Sequence, residues 1–237
     1  MTDIALTSFL QWLDLIGVFF NAVVGAIIAR SARLDPIGFG VLAVMSGVGG
    51  GLIRDTLLQA GPPIALVDWR YFTTAIAGAF IVMIVHIQGR WWDRIYLPVD
   101  ALAVGCWAAV GAAKTIGLGY GWLPAILLGA ITAVGGSFVR DMVLRQVPAI
   151  LGGNTLYATW AMVAAAITVV GAELDQTALG SVIATLVGAG LVLLSRHRHW
   201  AFPQGDDAAT VGQAVSRMLA NRRARAEGHE AERRTDD

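Results

Sequence analysis

The sequence predicts an all-α integral membrane protein of seven transmembrane helices: two inverted three-helix repeats followed by a seventh helix. Three observations carry this prediction. Of 237 residues, 56% are hydrophobic and 14% charged, against about 45–50% and about 25% in soluble domains. The charge is also displaced to one end: of 17 basic and 17 acidic residues, eight arginines and seven carboxylates lie from Arg196 onward. The first 195 positions therefore have too little polar surface to coat a water-soluble globule. Finally, a seven-residue motif of the first half returns 86 positions later.

The spans follow from length. A helix rises 1.5 Å per residue, so about 20 mostly apolar residues cross about 30 Å of hydrocarbon. Seven segments qualify: 9–29, 36–60, 71–88, 98–117, 122–146, 156–172 and 178–195. Only helices satisfy their own backbone groups in lipid, and the alternating pattern of a membrane β-barrel is absent. The expected organisation is a membrane domain over 1–195, with repeats at about 9–88 and 98–172 and the seventh helix at about 178–195. A polar tail, 196–237, follows as a solvated segment or a short amphipathic helix over 210–227.

Residues 1–8 carry Asp3 and no basic residue, so the first span does not read as a cleaved signal, which needs a basic start. Arginines set the orientation. Arg30, Arg33, Arg90, Arg94, Arg145, Arg196 and Arg198 fall on one side, against Arg70 and Lys114 on the other. This places the N-terminus outside and the C-terminus in the cytoplasm. Trp12, Trp69, Trp91, Trp92, Trp122 and Trp200 fall near expected interfaces, where amphipathic rings settle.

The repeat is the most informative feature. Gly49-Gly50-Gly51-Leu52-Ile53-Arg54-Asp55 in span two matches Gly135-Gly136-Ser137-Phe138-Val139-Arg140-Asp141 in span five. The same ungapped offset aligns Asp14 with Asp100, Gly25-Ala26 with Gly111-Ala112, Pro62 with Pro148, Ile64 with Ile150 and Tyr71 with Tyr157. Three spans per repeat is an odd number, so the second copy enters the membrane the other way up. Inverted repeats with paired glycine-interrupted helices are a common transporter architecture.

Consecutive glycines cost a helix about 1 kcal/mol each relative to alanine. A kink or break is therefore expected at Gly49, Gly50 and Gly51 and at Gly135, Gly136 and Ser137, freeing carbonyls that could meet cations. The other reading of the same residues is a close-packing surface between helices. Arg54-Asp55 and Arg140-Asp141 follow each motif inside apolar spans, where a central charge costs roughly 2.5–3.5 kcal/mol and normally faces a cavity or a partner. They read equally as pathway residues and as a buried clamp, with the arginines expected to find partners in the other repeat. Asp14 and Asp100 are secondary candidates. Asp100 follows Pro98 at the start of span four, where a carboxylate suits the helix dipole, and Asp14 occupies the equivalent place. Lys114, the only lysine, is a further candidate that could snorkel outward, and His86 reads as interfacial.

Function classes are narrowed by what is missing. No Gly-Lys-Ser/Thr phosphate loop, His-Glu-x-x-His or Gly-x-Ser-x-Gly occurs in the sequence, so an enzyme and an ATP-driven pump are not expected. One cysteine, Cys106, precludes an internal disulfide and a Cys-rich metal site, and a formal charge of zero argues against nucleic acid as a partner.

Seven spans, two three-helix repeats and the doubled Gly-Gly-Gly/Ser-x-x-Arg-Asp motif together resemble the prokaryotic branch of the TRIC (trimeric intracellular cation) channel family, over about residues 9–195. The resemblance implies a homotrimer in the lipid bilayer with a pore inside each subunit, lined by kinked second and fifth helices. It implies passage of monovalent cations, mainly potassium, with permeant K+ or Na+ and no cofactor. Gly49, Gly50, Gly51, Gly135 and Gly136 then match the kinks, Ser137 departs from a third glycine, and Arg54, Asp55, Arg140 and Asp141 match the charged positions. The Lys-Glu-Val sequence of animal members is absent, so neither their lipid regulation nor their organelle location carries over; a prokaryotic plasma (inner) membrane fits. Related sequences are also labelled glycine transporters, which supplies the alternative of a secondary transporter for a small zwitterion such as glycine.

Overall fold

The computed structural model describes residues 3–85, 90–148, 150–151, 156–198 and 200. They form eight helices: α1 (Asp3–Ser31), α2 (Pro36–Leu58), α3 (Ile64–Val67), α4 (Trp69–Ile84), α5 (Arg90–Gly117), α6 (Trp122–Val143), α7 (Tyr157–Glu173) and α8 (Thr177–His197). All except the single turn α3 fall on segments read as spans. The chain divides into two units, Met1–Trp200 and Ala201–Asp237. The second unit, with the expected 210–227 helix, lies outside the described residues, as does His86.

The chain is an all-helical, multi-pass membrane protein. Five of the helices are long and apolar enough to cross a bilayer. Of the remaining three, α3 is a single turn, and α4 and α7 have 16 and 17 residues, or about 24–26 Å at 1.5 Å each. The expected span 71–88 is thus shorter than read. The end of α4 has a local cause: Arg30 donates from Nη2 to the Met83 carbonyl at 2.8 Å and from Nη1 to the Val85 carbonyl at 3.1 Å. A guanidinium there satisfies carbonyls that a longer helix would have used itself.

Helix starts follow local chemistry. Asp35 accepts from the Gly38 N–H at 2.6 Å and Pro36 opens α2 with its φ already set. Asp68 caps α4 by accepting from the Arg70 N–H at 3.0 Å, and the Arg70 guanidinium holds its carboxyl below the usual carboxylate range. Span four differs from expectation. α5 begins at Arg90, so Pro98 lies inside the helix instead of opening it. Arg90, Asp93 and Arg94 interrupt the apolar run but not the helix, and that misled a boundary drawn on apolarity. Neither Asp100 nor Asp14 is therefore a helix cap.

Two halves pack in the same way. α1 lies on α2 and α4, α5 lies on α6 and α7, and α2 against α6 joins the halves, with α8 on α5 and α7. Small residues make this core: Ala22, Ala26, Ala108, Ala112, Ala164 and Ala184 are fully buried, so backbones approach closely. The large exception is Trp107, which is buried where Gly17 leaves room; a Cβ at Gly17 would overlap its indole. Trp69 and Trp122, at the first residues of α4 and α6, are exposed.

Candidate functional site

The repeated motif builds one crossing and two charge clusters. α2 and α6 run as helices through Gly49–Gly51 and Gly135–Ser137 without a break, so the expected interruption is absent. Glycine's weak propensity is overridden because the glycines are where the two helices touch. A Cβ on Gly50 would overlap the Thr132 carbonyl oxygen, and one on Gly136 would overlap the Ser46 carbonyl oxygen. Ser46 and Thr132 are themselves 86 apart, so these contacts exchange under the repeat. Gly135 and Gly49 complete the crossing, their Cβ positions lying 2.9 Å from Gly50 Cα and 3.4 Å from Gly136 Cα. The same relation holds one layer out, where Gly25 faces Ser46 and Gly111 faces Thr132, each with 2.6 Å for an added Cβ. Gly51 and Ser137 stand apart from the crossing. An added Cβ at Gly51 meets only Arg54 Nη2 at 3.6 Å, and Ser137 Oγ donates to the Val134 carbonyl at 2.8 Å.

The first cluster lies four residues beyond the crossing. Arg54, 1% exposed, donates from Nε to Asp55 Oδ1 at 2.7 Å and places Nη2 3.5 Å from Asp14 Oδ2. Both partners belong to its own repeat, not to the other one as expected. Asp14 also accepts from the Tyr71 hydroxyl at 3.0 Å. Asp55 accepts from the Ile64 N–H at 3.0 Å, which seats the turn α3 against the end of α2. Lys114 does not snorkel away: its Nζ lies 2.8 Å from Asp55 Oδ1. Arg54 Nη1 is buried without a hydrogen-bond partner among the described residues. A cavity of about 140 Å³ lies beside this cluster, with Asp14, Arg54, Tyr71 and Lys114 in its wall.

The second cluster repeats the neighbouring Arg–Asp pair and the Tyr–Asp bond of the first. Arg140 donates from Nε to Asp141 Oδ1 at 2.9 Å and places Nη2 at 2.8 Å. Asp100 accepts from the Tyr157 hydroxyl at 3.1 Å, the counterpart of Tyr71 on Asp14 at the same sequence separation of 57. Arg196 of α8 reaches Asp100 Oδ2 with Nη2 at 3.2 Å. Asp14, Asp55, Asp100, Arg140 and Asp141 are all buried.

A family model described as Glycine transporter matches the chain over residues 11–87 and again over 97–173. The chain belongs to this family. The two matches start 86 residues apart, at the offset that relates the two clusters. A UPF0126 membrane protein of Deinococcus radiodurans is 35% identical over 165 residues, covering 67% of this chain and 77% of that protein. The UPF0126 inner membrane protein YadS of Escherichia coli K12 is 36% identical over 149 residues, covering 62% and 72%. Among solved structures, one described as the structural basis for conductance through TRIC cation channels aligns with a TM-score of 0.75 and 28% identity, over 83% of this chain and 97% of that one. The TRIC trimeric intracellular cation channel orthologue from Rhodobacter sphaeroides aligns at 0.69 and 29%, over 80% and 95%. This Glycine transporter family member therefore also has the TRIC fold.

Sequence reasoning on this family member used Tyr71 and Tyr157 only for the repeat register and Arg196 only for orientation, and placed none of them in a site. The tyrosines could have been found from the aligned Asp–Tyr pairs, which share one spacing in both copies. Tyr71→Phe is expected to cost about 1.5–3 kcal/mol, because the lost bond serves a charged acceptor. Thermal unfolding in detergent micelles checks it; a variant indistinguishable from the unmodified chain would mean that Asp14 draws nothing from the hydroxyl.

Proposed function

We propose that the chain is a monovalent-cation channel, permeable to potassium, that assembles as a homotrimer with a pore inside each subunit between α2 and α6. The observation that carries this reading is the pair of buried clusters flanking a glycine crossing, in a fold shared with proteins described as TRIC cation channels. Seven spans cross the membrane, and three per repeat make the second copy inverted. The exchange of Ser46–Gly136 with Thr132–Gly50 fits a pseudo-two-fold axis in the membrane plane. One cluster then lies on each side of the crossing. Arginine placement supports an outside N-terminus and a cytoplasmic C-terminus, and an inner membrane relative supports a plasma-membrane location.

Charge balance explains how such a path tolerates arginine. Asp14, Asp55, Arg54 and Lys114 sum to zero, so the first cluster neither repels nor traps a passing cation. No added side chain fits at Gly50, Gly135 or Gly136 of the crossing, so conduction requires α2 and α6 to part there, and the glycines are what allow sliding without side-chain disengagement. Lys114 is the cation of this cluster that reaches solvent, with a side chain 32% exposed. Lys114→Gln leaves a carboxylate surplus and is expected to raise potassium conductance about three-fold or more, by local enrichment of counter-ions. Single-channel recording checks it, and an unchanged conductance would remove Lys114 from the path.

A second reading, a secondary transporter of a small zwitterion such as glycine, is favoured by one observation. The cavity wall presents Asp14 together with Arg54 and Lys114, groups that suit an ammonium and a carboxylate. Planar-bilayer recording of purified protein, paired with uptake of labelled glycine into liposomes, separates the two. Potassium currents that rise with driving force support the channel; saturable glycine uptake without currents supports the transporter.

A further inference from the structure

Each cluster also takes in a cation from a helix outside its repeat. The 86-residue offset carries α1 onto 89–117, where α5 lies, and carries α5 onto 176–203, where α8 lies. α8 thus stands to the second repeat as α5 stands to the first, and each packs on the opening helix of the preceding repeat: α5 on α1, α8 on α5. Each also sends one cation back. Lys114 of α5 meets Asp55 at 2.8 Å and Arg196 of α8 meets Asp100 at 3.2 Å, carboxylates that are not counterparts, since Asp55 corresponds to Asp141 and Asp100 to Asp14. Arg196 lies over the Tyr157 ring as well, with Cζ 5.9 Å from the ring centroid. Its Nε is buried without a hydrogen-bond partner among the described residues, so its position is held by Asp100 and the ring and by no further acceptor there. Tyr96 lies within electrostatic reach of Asp100, Arg140, Arg196 and Asp141 at once, which places the four charges in one neighbourhood.

We propose that Arg196 is a positioning residue of the pathway, supplying the fourth charge that makes the second cluster neutral, so that the seat of α8 sets the cation affinity at that end. The proposal rests on the channel reading. Asp100, Asp141 and Arg140 all come from the second repeat, whereas Arg196 comes from a helix outside both repeats. Displacing α8 removes one positive charge and leaves a buried carboxylate surplus beside the path. Arg196 therefore reports the position of α8 to the conducting core as a change of one unit of charge.

The test compares potassium flux into liposomes for the unmodified chain, Arg196→Gln, Arg196→Lys, Asp100→Asn and the double variant Asp100→Asn/Arg196→Gln. Arg196→Gln is expected to raise flux about three-fold or more, and Asp100→Asn to lower it by a similar factor, since a cleft's charge sets local cation concentration. The double variant, neutral again, should return towards the unmodified chain, and Arg196→Lys should stay closer to it than Arg196→Gln. A merely structural Arg196 would instead give lower flux in Arg196→Gln with no recovery in the double variant, and that overturns the proposal. Should Arg196→Gln fail to fold, Arg196→Lys and the double variant still decide: a double variant as impaired as Asp100→Asn alone overturns it. Unmodified protein that carries no potassium overturns the channel reading together with this one; conducting protein with an unresponsive Arg196→Gln overturns this one alone.

Discussion

Gly50→Val and Gly136→Val are each expected to lose about 1–3 kcal/mol or more of stability, through overpacking at the α2–α6 crossing. At both positions the new Cβ would land on a backbone carbonyl oxygen, of Thr132 or of Ser46. Backbone cannot rotate aside as a side-chain tip can, so relief requires the helices themselves to separate. That would disturb both clusters, each only four residues from the crossing. Gly40→Ala and Gly190→Ala are the matched controls, since nothing lies within 4 Å of an added Cβ there. They are expected to be neutral, or to gain up to about 1 kcal/mol from helix propensity. Unfolding midpoints in detergent should place the first pair below the unmodified chain and the second pair at or above it. Equal midpoints for Gly50→Val and Gly40→Ala would mean that the crossing is open enough to take side chains.

The helices were legible because lipid demands about 20 apolar residues in a row, and the repeat because isolated Asp, Pro and Tyr residues matched at one offset. What was not legible came from contacts between segments. Propensity alone predicts a break at three glycines, but Ser46, Thr132 and the facing glycines supply a backbone contact surface that keeps α2 and α6 helical. Asp100 read as a cap because Pro98 looked like the first residue of a helix. The eight residues before it form helix although Arg90, Asp93 and Arg94 interrupt their apolar run, and a hydropathy window cannot see that.

The site itself was half legible. Arg54-Asp55 and Arg140-Asp141 stood out as charges in apolar surroundings, which physics does not tolerate without a purpose. Their partners did not stand out. Asp14 and Tyr71 lie 57 residues apart and meet only when α1 packs on α4. Lys114, near the end of α5, suggested an outward reach until the fold set Asp55 beside it. Arg196 looked like one more cytoplasmic arginine, because topology rules count such charges without asking what each one touches.

Arg54→Leu is expected to be among the most damaging single changes, at about 3–5 kcal/mol, the usual cost of breaking a buried ion pair by removing one partner. Arg54 is 1% exposed and stands between two carboxylates on different helices, Asp55 of α2 and Asp14 of α1. Without it, Asp14 keeps the Tyr71 hydroxyl, while Asp55 keeps Lys114 and the Ile64 N–H. Two buried carboxylates then face one ammonium, a surplus of one negative charge. Arg54→Lys restores charge but not the fork, since one ammonium on a flexible stem does not hold Nε and Nη2 positions together. It should fall between Arg54→Leu and the unmodified chain. Asp14→Asn added to Arg54→Leu removes the carboxylate left most exposed to the loss and should recover part of the deficit, which independent effects could not do. Unfolding in detergent across the four chains measures these differences. An Arg54→Leu midpoint close to the unmodified value would mean that the cluster is solvated in the folded state, and that its charges are held by water more than by one another.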